Sequence, residues 1–370
     1  MRIKNHIIII NISILFVLLV GCAGPTTQRV KPNDAAVALE AEKQREIALQ
    51  ESLNDQYRLD RVGWPILKAG LQFCEDRKAK TIGIKYANKH NFEGEYQDIA
   101  ISKLGLGDTL KIINIIEMTP AAESGLHEGD ILISVNNKDV PIGKNASKDF
   151  AKLLTKEIED NSQLSFKIRR DGLDEIINVT PVEACDYPLI VSDDDIVNAY
   201  ADGNQIVITQ GMMSFAKTDD ELALVVGHEL AHNSMRHIDA KRLNAFGGLL
   251  IDILFAALGA NTQGLFSNMA AQAYSQEFES EADYVGLYIN ELAGYEIKDA
   301  AYFWRRMGVK HPGSIGKNHA ASHPSSPERF VSIEDTIKEI NQKKSAGEEL
   351  VPNMDREAFE ERDPPPSINL

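Results

Sequence analysis

Apolar positions along this chain change their spacing several times, and each change predicts an element. An unbroken apolar run from Ile7 to Val20 follows Arg2 and Lys4 and ends in small residues before Cys22. It is shorter than the roughly 20 residues that span a bilayer, which predicts a secretory signal, with an uncleaved anchor as the other reading. Asp34 to Arg58 is polar and charged, rich in Ala, Glu, Gln and Lys, and predicts a solvated helix. From Arg61 to Lys78, Val62, Ile66, Leu67, Leu71 and Phe73 share one face and predict a core helix.

Between about Thr81 and Val182 the chain becomes strand-rich. Ile112 to Ile116 and Ile131 to Val135 read as strands, separated by a short helix that starts at Thr119-Pro120 and ends at Gly125. Asp149 to Ile158 reads as a helix, and Gln163 to Arg169 pairs with Asp174 to Val182 over the Asp171-Gly172 turn. After a turn at Asp202-Gly203, the strand Gln205 to Thr209 leads into a helical pattern. Leu222, Val225, Val226, Leu230 and Ala231 recur there at helical spacing, behind Asp219, Asp220 and Glu221, with Thr218 as N-cap.

That helix carries the candidate chemistry, because it holds His228, Glu229 and His232 in the order HExxH. His228 and His232 lie one turn apart on one face, so both can turn an imidazole nitrogen toward one metal ion. Glu229 is rotated aside, next to the open metal position, where a carboxylate can take a proton from a water whose pKa zinc lowers to about 7. Two histidines are one protein ligand short of a zinc site. Further on, Gln276 to Gly286 reads as an acidic helix with Glu279 and Asp283 on one face. The apolar stretch 245–260 between them contains Asp252 and is too short to span a membrane comfortably; it predicts either a helical cover over the active-site cleft or a buried core helix.

HExxH together with Glu279 and Asp283 resembles the envelope gluzincin metallopeptidases of the BepA, HtpX and CAAX prenyl protease family. The resemblance implies one Zn2+ per chain, with Glu279 as third ligand and Asp283 orienting a zinc-bound histidine from behind. Glu229 would promote the attacking water and return its proton to the leaving amine. His323-Pro324 followed by Arg329 resembles the HPxxxxR segment of the same family. By that match His323 closes on the zinc or helps hold the tetrahedral oxyanion, and Arg329 anchors the segment. An edge strand beside the motif helix receives the substrate in such proteases; Gln205 to Gln210 is either that strand or an ordinary internal one. Glu277 and Glu281 point elsewhere on their helix, and His237, His311 and His319 are left as structural or solvated.

Residues 112 to 140 resemble a PDZ domain. The resemblance implies peptide-carboxylate docking at Ile82-Gly83-Ile84, with Leu104-Gly105-Leu106-Gly107 reading more as a helix end than as the competing site. Leu19-Val20-Gly21-Cys22 resembles a bacterial lipobox, which implies cleavage before Cys22, lipidation of its thiol, and an outer-membrane lipoprotein facing the periplasm.

A formal net charge of -16 argues against nucleic acid as a partner. Unfolded or misassembled envelope proteins are the expected substrates, and the membrane is reached through the lipid on Cys22. In an oxidising compartment the two remaining thiols, Cys74 and Cys185, are expected to pair. The expected class is α+β: a mainly helical zincin-type catalytic domain with a small sheet, plus an inserted PDZ-like β-rich domain. The boundaries read 1–21 signal, 22–59 tether and solvated helix, 60–78 with 186–340 metallopeptidase, 79–185 PDZ-like insertion, and 341–370 extended tail without chemistry. The expected function is envelope proteolysis, with a chaperone-like peptide-binding lipoprotein as the alternative.

Overall fold

The computed structural model describes residues 27, 30–74, 77–257, 275–310, 326–355, 359 and 362. The chain divides into two compact units, Met1–Ile47 and Ala48–Leu370. In the first, the described helical residues from Asp34 onward are mostly exposed.

Helix α1 (Asp34–Ala69) is continuous, and burial begins at Leu59 and takes in Val62, Gly63, Trp64 and Ile66. This corrects the expectation of two separate helices, while the expected change from solvated to core-packed residues falls within the one element, where burial begins at Leu59. Pro65 removes one backbone donor from the helix, and the buried residues around it carry the helix through. Two arginines of α1 bind the start of the motif helix. Arg58 donates to the Ala216 and Thr218 carbonyls at 2.8 Å, and Arg61 Nη1 lies 2.7 Å from Asp219.

Next, β1 (Lys78–Thr81) pairs antiparallel with β8 (Val182–Cys185), with Lys78 opposite Cys185. This ribbon brings together the two ends of the segment between its strands. Beside it Cys74 and Cys185 are disulfide-bonded, their Cα atoms 5.6 Å apart. The enclosed segment holds β2 (Ile84–Ala87), helix α2 (Glu95–Leu104), β3 (Lys111–Ile115), helix α3 (Pro120–Ser124) and β4 (Ile131–Val135). It continues through β5 (Lys138–Asp139), helix α4 (Ala146–Asp160), β6 (Leu164–Arg170) and β7 (Leu173–Val179). The sheet order is β2-β3-β4-β6-β7, with β5 on β4. Its core is its own, formed by Ile112, Leu132, Phe150, Leu164, Phe166 and neighbours. At the β6–β7 turn, Asp171 and Gly172 have φ of 50° and 83°, the paired left-handed conformation that suits the twist of a two-residue hairpin.

The larger core belongs to the remaining elements. Strands β9 (Leu189–Ser192), β10 (Ala199–Ala201) and β11 (Ile206–Thr209) form a sheet in the order β10-β11-β9. Of the two readings of residues 205–210, the internal strand is the one found: β11 is antiparallel to β10 and parallel to β9, and all its residues are buried. Helices α5 (Gln210–Phe215), α6 (Asp219–Ser234), α7 (His237–Ala257), α8 (Ser275–Leu292), α9 (Ala300–Lys310) and α10 (Pro327–Ala346) follow. Thr218 caps α6 by accepting from the Glu221 N–H at 3.2 Å, and three acids in its first turn complement the helix dipole. In α7, Asp252 is buried while Leu249 and Ile251 are exposed. Among the described residues, no helix is long and apolar enough to cross a membrane.

The C-terminal segment is a second correction. Helix α10 runs past residue 340 to Ala346, and Met354 and Phe359 then pack on the larger core. Those two apolar side chains give an otherwise charged segment something to bury.

Candidate metal centre

Helix α6 is buried from Leu222 to Ser234, so its two histidines project from a fixed support. His228 and His232 turn their Nε2 atoms to within 3.1 Å of each other. Glu279, on α8, brings one carboxylate oxygen to 3.4 Å from His228 Nε2 and the other to 3.3 Å from His232 Nε2. All three side chains are buried, and together they could hold a metal ion. Ligands about 2.0–2.1 Å from a tetrahedral ion lie roughly 3.3–3.4 Å from one another, so two nitrogens and a carboxylate at these spacings fit zinc with one position open.

Glu279 reaches α6 because the two helices cross at glycines. A Cβ on Gly286 would sit 3.0 Å from the Gly227 carbonyl carbon and the His228 amide nitrogen. Gly227 in turn lies against Asn290, one of whose amide atoms would be 2.4 Å from an added Cβ. Any larger residue at the crossing pushes α8, and the carboxylates it carries, away from the imidazoles.

Behind the ligands, Asp283 Oδ1 lies 3.0 Å from His228 Nδ1. Arg329, buried at the start of α10, donates to Asp283 at 2.8 Å, lies 3.5 Å from Glu279, and covers the Trp304 ring at 4.9 Å. Arg329 was expected to anchor its segment; the structure fixes it directly onto Asp283. Burial alone would push the Asp283 carboxyl up, but the Arg329 guanidinium and His228 hold it below the usual carboxylate range. For His228, burial disfavours the charged form, and Asp283 and Glu279 outweigh it, raising the pKa to about 9. At His232 burial outweighs Glu279 and holds the imidazole well below its ordinary range; it is the acids around His228 that supply negative charge for a divalent cation to balance in place of a proton. Glu229 is buried next to this cluster and is among the acids that keep Arg329 charged against its own burial.

His237 belongs to the same constellation, although the sequence pattern left it aside. It is buried, its Nδ1 is 2.8 Å from His232 Nδ1, and its Nε2 is 2.9 Å from Glu281. Five residues beyond His232 on a continuous helix it would face well away from the ligand face. Instead α6 ends at Ser234 and Arg236 takes φ 56°, so α7 starts in a new direction and returns His237 beneath His232. A left-handed residue at Arg236 has no sequence signal of the kind glycine gives. Arg362, from the segment expected to be a bare tail, binds Glu281 at 2.9 Å and the Met235 carbonyl at 2.9 Å.

The Ile82-Gly83-Ile84 turn lies against α1. Gly83 has φ 81°, and a Cβ there would meet Thr119 at 2.4 Å, so glycine is required. The Ile82 and Gly83 carbonyls accept from the Ala121 and Ile116 N–H groups at 2.9 and 3.0 Å. A cavity of about 220 Å3 beside the turn is lined by Asp60, Trp64, Gly83, Ile84, Lys85 and Leu189, among others, with Lys85 Nζ 3.0 Å from Asp60. His323 and Cys22 lie outside the described residues.

A helix-borne HExxH pair completed by a glutamate from a second helix is the arrangement of a gluzincin-type metallopeptidase. Residues 168–337 match peptidase family M48 and residues 80–180 match the PDZ domain, so the chain carries an M48 peptidase domain and a PDZ domain. It is 29% identical over 184 residues to the mitochondrial metalloendopeptidase OMA1 of Schizosaccharomyces pombe, covering 48% of this chain and 54% of that one. It is 28% identical over 130 residues to the putative beta-barrel assembly-enhancing protease of Vibrio cholerae, covering 31% of this chain and 27% of that one. With the beta-barrel assembly-enhancing protease of Escherichia coli it shares 24% over 138 residues, covering 33% and 28%. The chain thus spans about half or less of the length of these curated relatives.

Proposed function

We propose that this chain is a zinc-dependent endopeptidase of the bacterial cell envelope that degrades misfolded or misassembled envelope proteins. The observation that carries this reading is the buried convergence of His228, His232 and Glu279 beside Glu229. A zinc ion held by those three groups would polarise the scissile carbonyl and lower the pKa of a coordinated water to about 7. Glu229 then takes the proton of the attacking water on its carboxylate and delivers it to the leaving amine. Asp283, kept ionised by Arg329, accepts the Nδ1–H of His228 and so leaves its Nε2 lone pair for the metal. Arg329 follows His323 by six residues and touches Asp283, which supports a role for His323 at the same site.

The PDZ domain takes client recognition or regulation. Docking of a peptide carboxylate at Ile82-Gly83-Ile84 would occur beside the pair of buried Asp60 and partly exposed Lys85, linking it to α1. Names of relatives that refer to beta-barrel assembly support outer-membrane proteins as a client class. Lipidation at Cys22 and a periplasm-facing outer-membrane location complete the reading.

Purified protein incubated with casein tests it. Cleavage should be abolished by chelation and restored by zinc, and Glu229→Gln should keep zinc while losing about a hundredfold or more in rate, since an amide has the carboxylate's size and none of its basicity. Unchanged cleavage by Glu229→Gln would sink the assignment.

A further inference from the structure

From the chain His232–His237–Glu281–Arg362 we infer that His237 is a positioning residue for the metal site, fixing the tautomer and ring orientation of His232. The inference rests on the metal-binding reading of His228, His232 and Glu279.

The hydrogen-bond directions follow from counting protons. Two imidazole nitrogens 2.8 Å apart, as His232 Nδ1 and His237 Nδ1 are, need one N–H and one lone pair between them. His232 Nε2 points into the ligand cluster, 3.3 Å from Glu279, and binds a cation only with its lone pair bare. The single proton of neutral His232 is therefore on Nδ1 and is donated to His237 Nδ1. His237, accepting there, carries its own proton on Nε2 and donates it to the Glu281 carboxylate 2.9 Å away. Glu281 is an acceptor only, and Arg362 holds it at 2.9 Å. Every link has one permitted direction, and the chain ends on a fixed charge.

The ring of His237 cannot easily turn. It is fully buried, stacks on Phe278 with centroids 4.8 Å apart and planes 20° from parallel, and meets the His232 ring edge-on at 4.9 Å. A merely structural histidine needs its volume filled; a positioning one needs an acceptor at the Nδ1 position. The two requirements separate by substitution, because Asn offers its Oδ1 where histidine offers Nδ1, and Leu offers volume alone.

Zinc affinity of the purified full chain, measured by competition with a chromophoric chelator, reads this directly, with the cobalt(II)-substituted absorption spectrum as a second signature. His237→Leu should weaken zinc by about 10- to 100-fold and shift the cobalt bands, the usual cost of removing a partner behind a metal-bound imidazole. His237→Asn should stay within about threefold of the unaltered protein. Glu281→Leu, at a side chain 29% exposed, interrupts the same chain without opening the buried core and should weaken zinc by about tenfold. It serves if His237→Leu does not fold. Zinc affinity unchanged in His237→Leu or Glu281→Leu, or equally lost in His237→Asn and His237→Leu, overturns the inference. If the unaltered chain itself fails to bind zinc, the metal-site reading falls first and takes this one with it.

Discussion

The PDZ domain and the metallopeptidase domain keep separate cores, and the two are built at different ranges. Every buried residue of the PDZ core lies between Ile82 and Val179, on helices and on strands whose partners mostly follow one another along the chain, and in the turns between them. The larger core joins Leu59 on α1 to Ile340 on α10 and runs through the three-stranded sheet between them. In the first, loss of one contact is a local matter. In the second, the position of a carboxylate on α8 relative to imidazoles on α6 depends on how closely two helices cross. Changes in the larger core should therefore move the metal site, and equally severe changes in the PDZ core should not.

The largest expected effect on the site is that of Glu279→Ala, which removes one of three ligands. Purified protein should contain no stoichiometric zinc, while far-UV circular dichroism stays near that of the unaltered chain. Full zinc occupancy in that variant would exclude Glu279 as a ligand.

Gly286→Val comes next and sharpens the comparison, since it touches no ligand. Its Cβ begins 3.0 Å from the α6 backbone, and the two methyl groups beyond force α8 outward, at a cost of about 1–3 kcal/mol in stability. Glu279 then no longer spans both imidazoles, and zinc affinity should fall by about tenfold or more. Amide exchange within 84–179 should remain as slow as before. If exchange there speeds up together with zinc loss, the two cores are not independent.

The same difference in range explains what was legible in the sequence. His228 and His232 are four apart, so helical geometry alone puts them together. The alternating strands and the Asp171-Gly172 turn of the PDZ domain are equally local. Glu279 is a non-local partner and was reached through family resemblance rather than spacing. Strand β11 was a candidate edge because nothing in residues 205–210 states that β9, whose residues pair with it from 17 positions earlier, lies on its far side. His237 was passed over because the left-handed Arg236 breaks the helical count. Arg362 was passed over because it follows a charged stretch in which Met354 and Phe359 were too sparse to announce burial.

The disulfide joins the two regions and should have a small effect on zinc with a large one on unfolding. Cys74 and Cys185 close a loop spanning 111 residues, and both sit in the larger core. In the chain-entropy model their loss destabilises the protein by about 4–5 kcal/mol at most. Because the β1–β8 ribbon still joins the ends of the insertion, zinc affinity of a Cys74→Ser, Cys185→Ser double variant should stay within about twofold, with the urea midpoint lowered. A tenfold zinc loss would mean that the bond positions the site itself.

The smallest effect on the metal site should come from a damaging change in the PDZ core, Phe150→Ala. Phe150 is fully buried and packs edge-on against Tyr86, ring centroids 4.8 Å apart, so truncation removes a large apolar side chain and an aromatic pair. Such substitutions cost about 3–5 kcal/mol, enough to unfold a domain whose core is this small under mild denaturant. The PDZ domain also touches α1 through Tyr57, which donates to the Ile113 carbonyl at 2.8 Å, and Trp64, which donates to the Met118 carbonyl at 3.0 Å. These contacts, with the Lys85–Asp60 pair at 3.0 Å, lie on the PDZ-facing side of a helix whose other residues remain fixed by the larger core. Urea titration followed by near-UV circular dichroism should accordingly show an early transition for Phe150→Ala that is absent from the unaltered chain, while chelator competition gives zinc affinity within about twofold across that transition. A single transition in which zinc release and PDZ unfolding coincide would show that the two cores, separate in their packing, unfold as one cooperative unit.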